Sequence, residues 1–152
     1  MKSFKFPQIE GKFVVWLFFY LVLLILLRWR LTPNITILLF VFGAIIGIFI
    51  LDVMEKIIDM KPSPLGGALA QMILLVLTFF SITSTGNLVG KGVVLFLNLK
   101  YLYLARNEFL GTGNLTNWFK QINMTITPKR AESYLLVFTI IIIMQAAMFI
   151  LL

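Results

Sequence analysis

The sequence predicts an all-α, polytopic transmembrane helical bundle of about five spans plus a short interfacial helix, forming a single integral membrane domain over residues 1–152. Three observations predict it. The chain is 61% hydrophobic and only 12% charged, with a mean hydropathy of +1.02. Soluble proteins run near 45–50% apolar and about 25% charged, so much of this surface needs lipid as its solvent. Long apolar runs are separated by short punctuation of the Thr-Pro, Pro-Ser-Pro and Gly-Asn kind. Basic residues gather at the edges of those runs, where they anchor helices against headgroups.

The same composition excludes several classes of function. A net charge of +7 suggests nucleic acid in a soluble domain, but here it belongs to helix edges, and the bilayer is the expected partner. No cysteine and no histidine is present. Disulfides, thiolate nucleophiles, haem ligation by histidine or cysteine and imidazole metal sites are therefore ruled out. A metal ion would need oxygen ligands alone, and no cofactor is expected.

The first helix is expected over residues 11–31, with an uncharged core flanked by Lys12 and Arg28 and with Trp16 and Trp29 at interfacial depth. Lys2, Lys5 and Lys12 ahead of an apolar run resemble a signal peptide. The run ends in Arg28-Trp29-Arg30 without a small-residue cleavage site, which favours a retained span. Thr32 and Pro33 then suit a capped start for a second helix, in the membrane over residues 34–51 and emerging to Met60. Gly43 and Gly47 form a GxxxG pair that lets another helix approach closely. Pro62, Ser63 and Pro64 reset the chain for a third helix over residues 68–82, and Gly86-Asn87 resets it again.

The fourth helix, residues 88–105, is the least comfortable span, because it carries Lys91, Asn98 and Lys100. On a helix Lys91 and Asn98 share a face, while Lys100 points elsewhere. Thr78, Lys91 and Asn98 are therefore read as a polar intramembrane face turned toward the bundle, with Lys100 snorkelling separately to the interface. Beyond it, Leu115, Trp118, Phe119 and Ile122 recur at i, i+3, i+4 and i+7, one apolar stripe on a short helix. That stripe suits either the membrane surface or the protein's own mouth. A fifth helix follows Thr127-Pro128, over residues 131–152.

Five spans with a cytoplasmic N-terminus put nine basic residues on the inside: Lys2, Lys5, Lys12, Lys56, Lys61, Arg106, Lys120, Lys129 and Arg130. Only Arg28, Arg30 and Lys91 fall outside. The asymmetry predicts a multi-pass protein of the cell membrane with its N-terminus cytoplasmic and its C-terminus outside.

Chemistry centres on Asp52, Glu55 and Asp59, which a helix stacks along one side. Three carboxylates so placed can hold Mg2+ or Ca2+ if a partner helix adds oxygen ligands. The simpler reading is a solvated helix extension neutralised by Lys56. Gly43-Ala44-Ile45-Ile46, then Asp52, then a span ending in Ser84-Thr85-Gly86, then another span, resembles the small membrane-bound metal-dependent hydrolases over about residues 38–105. In that family the second helix ends in an Asp-x-Asp-His type motif, and a further histidine lies in a later helix. The resemblance implies that Asp52 matches the first aspartate and that Asn98 or Asn107 falls in the later ligand region. Val53 and Met54 stand where the acidic residue and histidine belong. The resemblance thus implies a member without metal chemistry, and bears on fold more than on function.

Phosphate-binding loops and nucleophile elbows are missing from the sequence, and no histidine is present to activate a serine. Three expectations follow for the role. The first is a non-catalytic packing or interaction protein, working as a homo-oligomer or with another membrane protein. The second is a divalent-metal-dependent membrane hydrolase or its degenerate relative. The third is an oligomeric transporter or channel for a polar or anionic solute.

Overall fold

The computed structural model of the chain describes residues 11–30, 32, 34–58 and 65–152. Five α-helices account for almost all of it: α1 (Gly11–Trp29), α2 (Ile35–Ile58), α3 (Ala68–Ser84), α4 (Leu88–Thr112) and α5 (Pro128–Leu151). One 3-10 turn, Lys120–Ile122, lies between α4 and α5, and no strand occurs among the described residues. Helices α1, α2, α4 and α5 are long and apolar enough to cross a bilayer. At 17 residues α3 is shorter, about 25 Å against a hydrocarbon core of roughly 30 Å. The architecture is a helical membrane bundle.

Local signals explain the boundaries. The Asn34 side chain accepts from the Thr36 amide at 3.1 Å, so Asn34 caps α2. Thr32, the expected cap, instead donates to the Trp29 carbonyl at 2.6 Å. Asn87 caps α4 by accepting from the Gly90 amide at 3.2 Å. That helix ends at Gly113, whose φ of 71° and bond to the Phe109 carbonyl make a left-handed cap. Pro128 opens α5 behind Thr127, three residues ahead of the expected start.

Helices α2 and α4 run parallel, because Gly43 faces Val89, Gly47 faces Val93 and Asp52 meets Lys100. A Cβ at Gly43 or Gly47 would collide with the carbonyl oxygens of Val89 and Val93. Gly92 returns the fit, lying against the Phe40 carbonyl and the Ala44 amide. The remaining helices run the other way, so that Arg28 near the end of α1 reaches Phe149 near the end of α5. Between α2 and α4 the chain must therefore cross back through α3.

The hub of this bundle is α4, which packs on all four other helices. Half of its apolar stretch is buried inside the protein, against 17–28% for the other three long helices. Sequence reading made it the weakest span, for an understandable reason. A helix enclosed by protein meets neighbouring side chains rather than lipid, so it tolerates Lys91, Asn98 and Lys100. One hydrophobic cluster fills the end of the bundle near Arg28, around Leu24, Phe40, Ile82, Phe96 and Phe149. Phe40 and Phe149 stack there with centroids 4.8 Å apart. A second cluster fills the opposite end, around Leu51, Ala68, Leu115, Trp118 and Phe138.

Candidate functional site

Asp52 and Glu55 lie on the last turns of α2, whereas Asp59 falls outside the described residues. One Asp52 carboxylate oxygen accepts from the Lys100 ammonium at 2.6 Å, and the same ammonium donates to the Ile48 carbonyl at 2.6 Å. Lys100 therefore does not snorkel to the interface, which corrects the sequence expectation. The glycine contact brings the α2 and α4 backbones so close that Asp52 and the Ile48 carbonyl stand within reach of the ammonium. A counter-charge plus a carbonyl satisfies an ammonium better than a stretched path to water. Asp52 is thereby paired with a cation from another helix rather than with its own neighbour Lys56. Among the described residues no three acidic, histidine or cysteine side chains converge.

The expected polar face divides in two. Thr78 and Asn98, both fully buried, join α3 to α4. The Asn98 amide donates to the Thr78 hydroxyl at 2.6 Å and to the Gln145 carbonyl oxygen at 3.2 Å. Thr78 passes its own proton to the Leu74 carbonyl at 2.7 Å, and the Gln145 amide donates to the Leu75 carbonyl at 3.2 Å. Three helices are thus tied by side-chain amides and a hydroxyl at mid-depth. Lys91, two turns earlier on α4, belongs to none of this and lines a separate cavity with Arg28.

At the opposite end Leu115, Trp118 and Phe119 are buried, while Ile122 is exposed. The expected helix is replaced by turns and the single 3-10 turn. Left-handed residues at Gly113 and Asn123 bracket the segment and leave it too short to propagate. Its stripe faces the protein's own mouth. The Trp118 indole donates to the Gln71 side-chain oxygen at 2.8 Å, and the Tyr134 hydroxyl donates to the same oxygen. Glu108 accepts from the amides of Asn117 and Trp118 at 2.8 and 3.2 Å, holding the turn from α4.

Sequence reasoning missed Gln71, Tyr134 and Glu108 altogether, and gave Gln145 no role. The signal for the two glutamines was present, since a lone amide in an apolar run must find a bonding partner.

Among the recesses that open from the bundle surface, two have charged side chains in their walls. A groove of about 530 Å3 between α1, α4 and α5 is lined mainly by apolar side chains such as Phe13, Leu99, Phe109 and Leu136, with Arg106 and Glu132 also at its wall. The Arg106 guanidinium lies 5.5 Å from the centre of the Trp16 ring. The second recess, of about 540 Å3, is the cavity at Arg28 and Lys91. No family model, curated protein or solved structure matches the chain. The likeness to metal-dependent membrane hydrolases therefore rests on the residues quoted for it, of which Asp52 is engaged by Lys100.

Proposed function

We propose that this integral membrane protein is non-catalytic and works by packing and interaction within the bilayer, with a second copy of itself as partner. One observation carries the reading. Most of the buried polar side chains bind each other across helix contacts: Lys100 with Asp52, Asn98 with Thr78 and Gln145, and Gln71 with Trp118 and Tyr134. A group used in this way holds helices together, and freeing it for a substrate breaks a helix contact.

The choice of partner rests on the groove between α1, α4 and α5. Arg106 and Glu132 give it one charge of each sign. They form no ion pair with each other. A two-fold arrangement of two copies pairs each Arg106 with the other's Glu132 while covering the apolar floor.

Single-molecule photobleaching in liposomes tests this. Two-step bleaching is expected for the native chain, one-step for Arg106→Glu, and a return to two steps when Glu132→Arg is added. A monomer at every protein density, or a dimer indifferent to both charge changes, overturns the self-association. Melting in detergent with Mg2+, Mn2+ or Ca2+ tests the non-catalytic part. Stabilisation of several degrees at micromolar metal that disappears in Asp52→Asn points to a metal site instead.

A further inference from the structure

Lys91 and Lys100 sit on the same helix and are equally buried, each 6% exposed. Lys100 has a carboxylate and a carbonyl. The Lys91 ammonium has neither a hydrogen bond nor an ion pair among the described residues, and the side chain lines a cavity of about 540 Å3. An ammonium held largely away from water without a counter-charge is unfavourable, and no described side chain supplies one here, which leaves the site open to an anion from outside the bundle.

The cavity wall also carries Leu152, the last residue of the sequence, whose carboxylate forms no ion pair with Lys91, and the apolar side chains of Ile82 and Leu88. Arg28 stands in the same wall, facing Lys91 as a second cation. One guanidinium N–H is given to the Phe149 carbonyl, and the group lies 4.4 Å over the Phe149 ring. An arginine fork has five donors, so this bond fixes its position and leaves most of them available. The turn of residues 83–86 forms another wall. The Thr83 hydroxyl gives its proton to the Phe79 carbonyl, so in the long 3.4 Å contact between the two hydroxyls Ser84 is the donor, and it can turn from that contact to serve an anion.

The helix α4 begins at this point. Asn87 engages the Gly90 and Lys91 amides. The amides of Leu88 and Val89 are the first-turn donors that a helix leaves open. The described acidic side chains, Asp52, Glu55, Glu108 and Glu132, all belong to the other end of the bundle.

We propose that this cavity binds a phosphate-type oxyanion, with the Lys91 ammonium as its principal contact and Arg28 and Ser84 as supporting donors. The site lies where α1, α3 and α5 end and α4 begins, at the depth of the lipid headgroups. A phospholipid phosphodiester and a free phosphate offer the same acceptor oxygens to it, and both are within its chemistry.

The test uses the full chain in an uncharged maltoside detergent. Its melting temperature is followed as chloride is exchanged for inorganic phosphate at constant ionic strength, and separately as short-chain phosphatidylglycerol is added. A rise of several degrees is expected with at least one probe, since a ligand bound to the native state alone stabilises it by mass action. A response to the lipid only identifies a headgroup site, and a response to both identifies a site that also takes the free ion. Lys91→Gln should weaken the response about tenfold or more, while Lys91→Arg, which keeps the charge, should retain it. If Lys91→Gln does not fold, Ser84→Ala and Arg28→Gln are read in its place, each with a smaller loss. The absence of a shift beyond that of chloride with both probes overturns the proposal. So does an undiminished shift in the folded variants.

Discussion

The Lys100 ammonium and the Asp52 carboxylate meet at 2.6 Å across the α2–α4 contact, although 48 positions separate them in the chain. The two partners are not equally placed. The Lys100 side chain is 8% exposed and that of Asp52 is 24% exposed. Removing the acid therefore strands a charge that cannot reach water, whereas removing the base leaves one that partly can.

Asp52→Asn is expected to cost about 3 kcal/mol of stability, and Lys100→Met about half as much. Asp52→Leu combined with Lys100→Met should recover most of the loss, because an apolar pair leaves no charge to solvate. Equilibrium unfolding in detergent, with the single Asp52→Leu variant added to close the double-mutant cycle, checks this. Additive single effects would show that the pair contributes no coupling.

The glycines of the α2–α4 contact predict a contrast between two kinds of site. Gly43→Ala, Gly47→Ala and Gly92→Ala each force backbone against backbone, and each should cost about 2 kcal/mol or more. Gly111→Ala, also within a helix but with nothing within 4 Å of the new methyl, should instead gain about 0.5–1 kcal/mol. Melting temperatures of the four variants should separate cleanly by sign.

Asn98 bonds two other helices at once, so its loss should exceed that of a single contact. Asn98→Leu is expected to cost about 1–2 kcal/mol, near the top of the range for hydrogen bonds between helices in lipid. Thr78→Val should cost less, about 0.6 kcal/mol. In the latter case Asn98 keeps Gln145 as a partner. Equal losses in the two variants would show that the Gln145 bond contributes nothing.

The distribution of basic residues predicts an orientation. If α3 crosses along with the four long helices, the two ends of the chain lie on opposite sides of the membrane. Reporter fusions at Lys2, within the turn at Gly113, and after Leu152 should read cytoplasmic, cytoplasmic and outside. A cytoplasmic reading after Leu152 would remove one crossing, and α3 is the helix short enough to be at fault.

What could be read from the sequence was whatever is local. Composition and run lengths gave the class, and GxxxG marked the face of α2 that meets α4. The mid-span position of Asn98 was enough to require a partner on another helix, near Thr78 or the Gly43–Gly47 surface, and of these it is Thr78 that Asn98 bonds. The partner of Lys100 was illegible for a physical reason. Its position depends on the register between two helices, set by glycine contacts a turn or two away, and no periodicity within either helix encodes that register. The stripe at Leu115, Trp118 and Phe119 shows the converse. Its spacing identified which side chains turn inward, yet the helix it suggested does not form, because Gly113 and Asn123 end the segment on both sides.

The central place of α4 also has a consequence for the order in which the chain is made. It is the least apolar of the four long helices, and thus the one a membrane insertion channel would release into lipid least readily. By the time it emerges from the ribosome, Asp52 and Thr78 have already been synthesised and can receive Lys100 and Asn98. Gln145 and Phe149, the acceptors for Asn98 and Arg28, come only with α5. A nascent chain arrested just before Pro128 would accordingly hold α4 against α2 and α3, with one Asn98 acceptor and the Arg28 acceptor still to come, so that α5 closes the bundle rather than founding it.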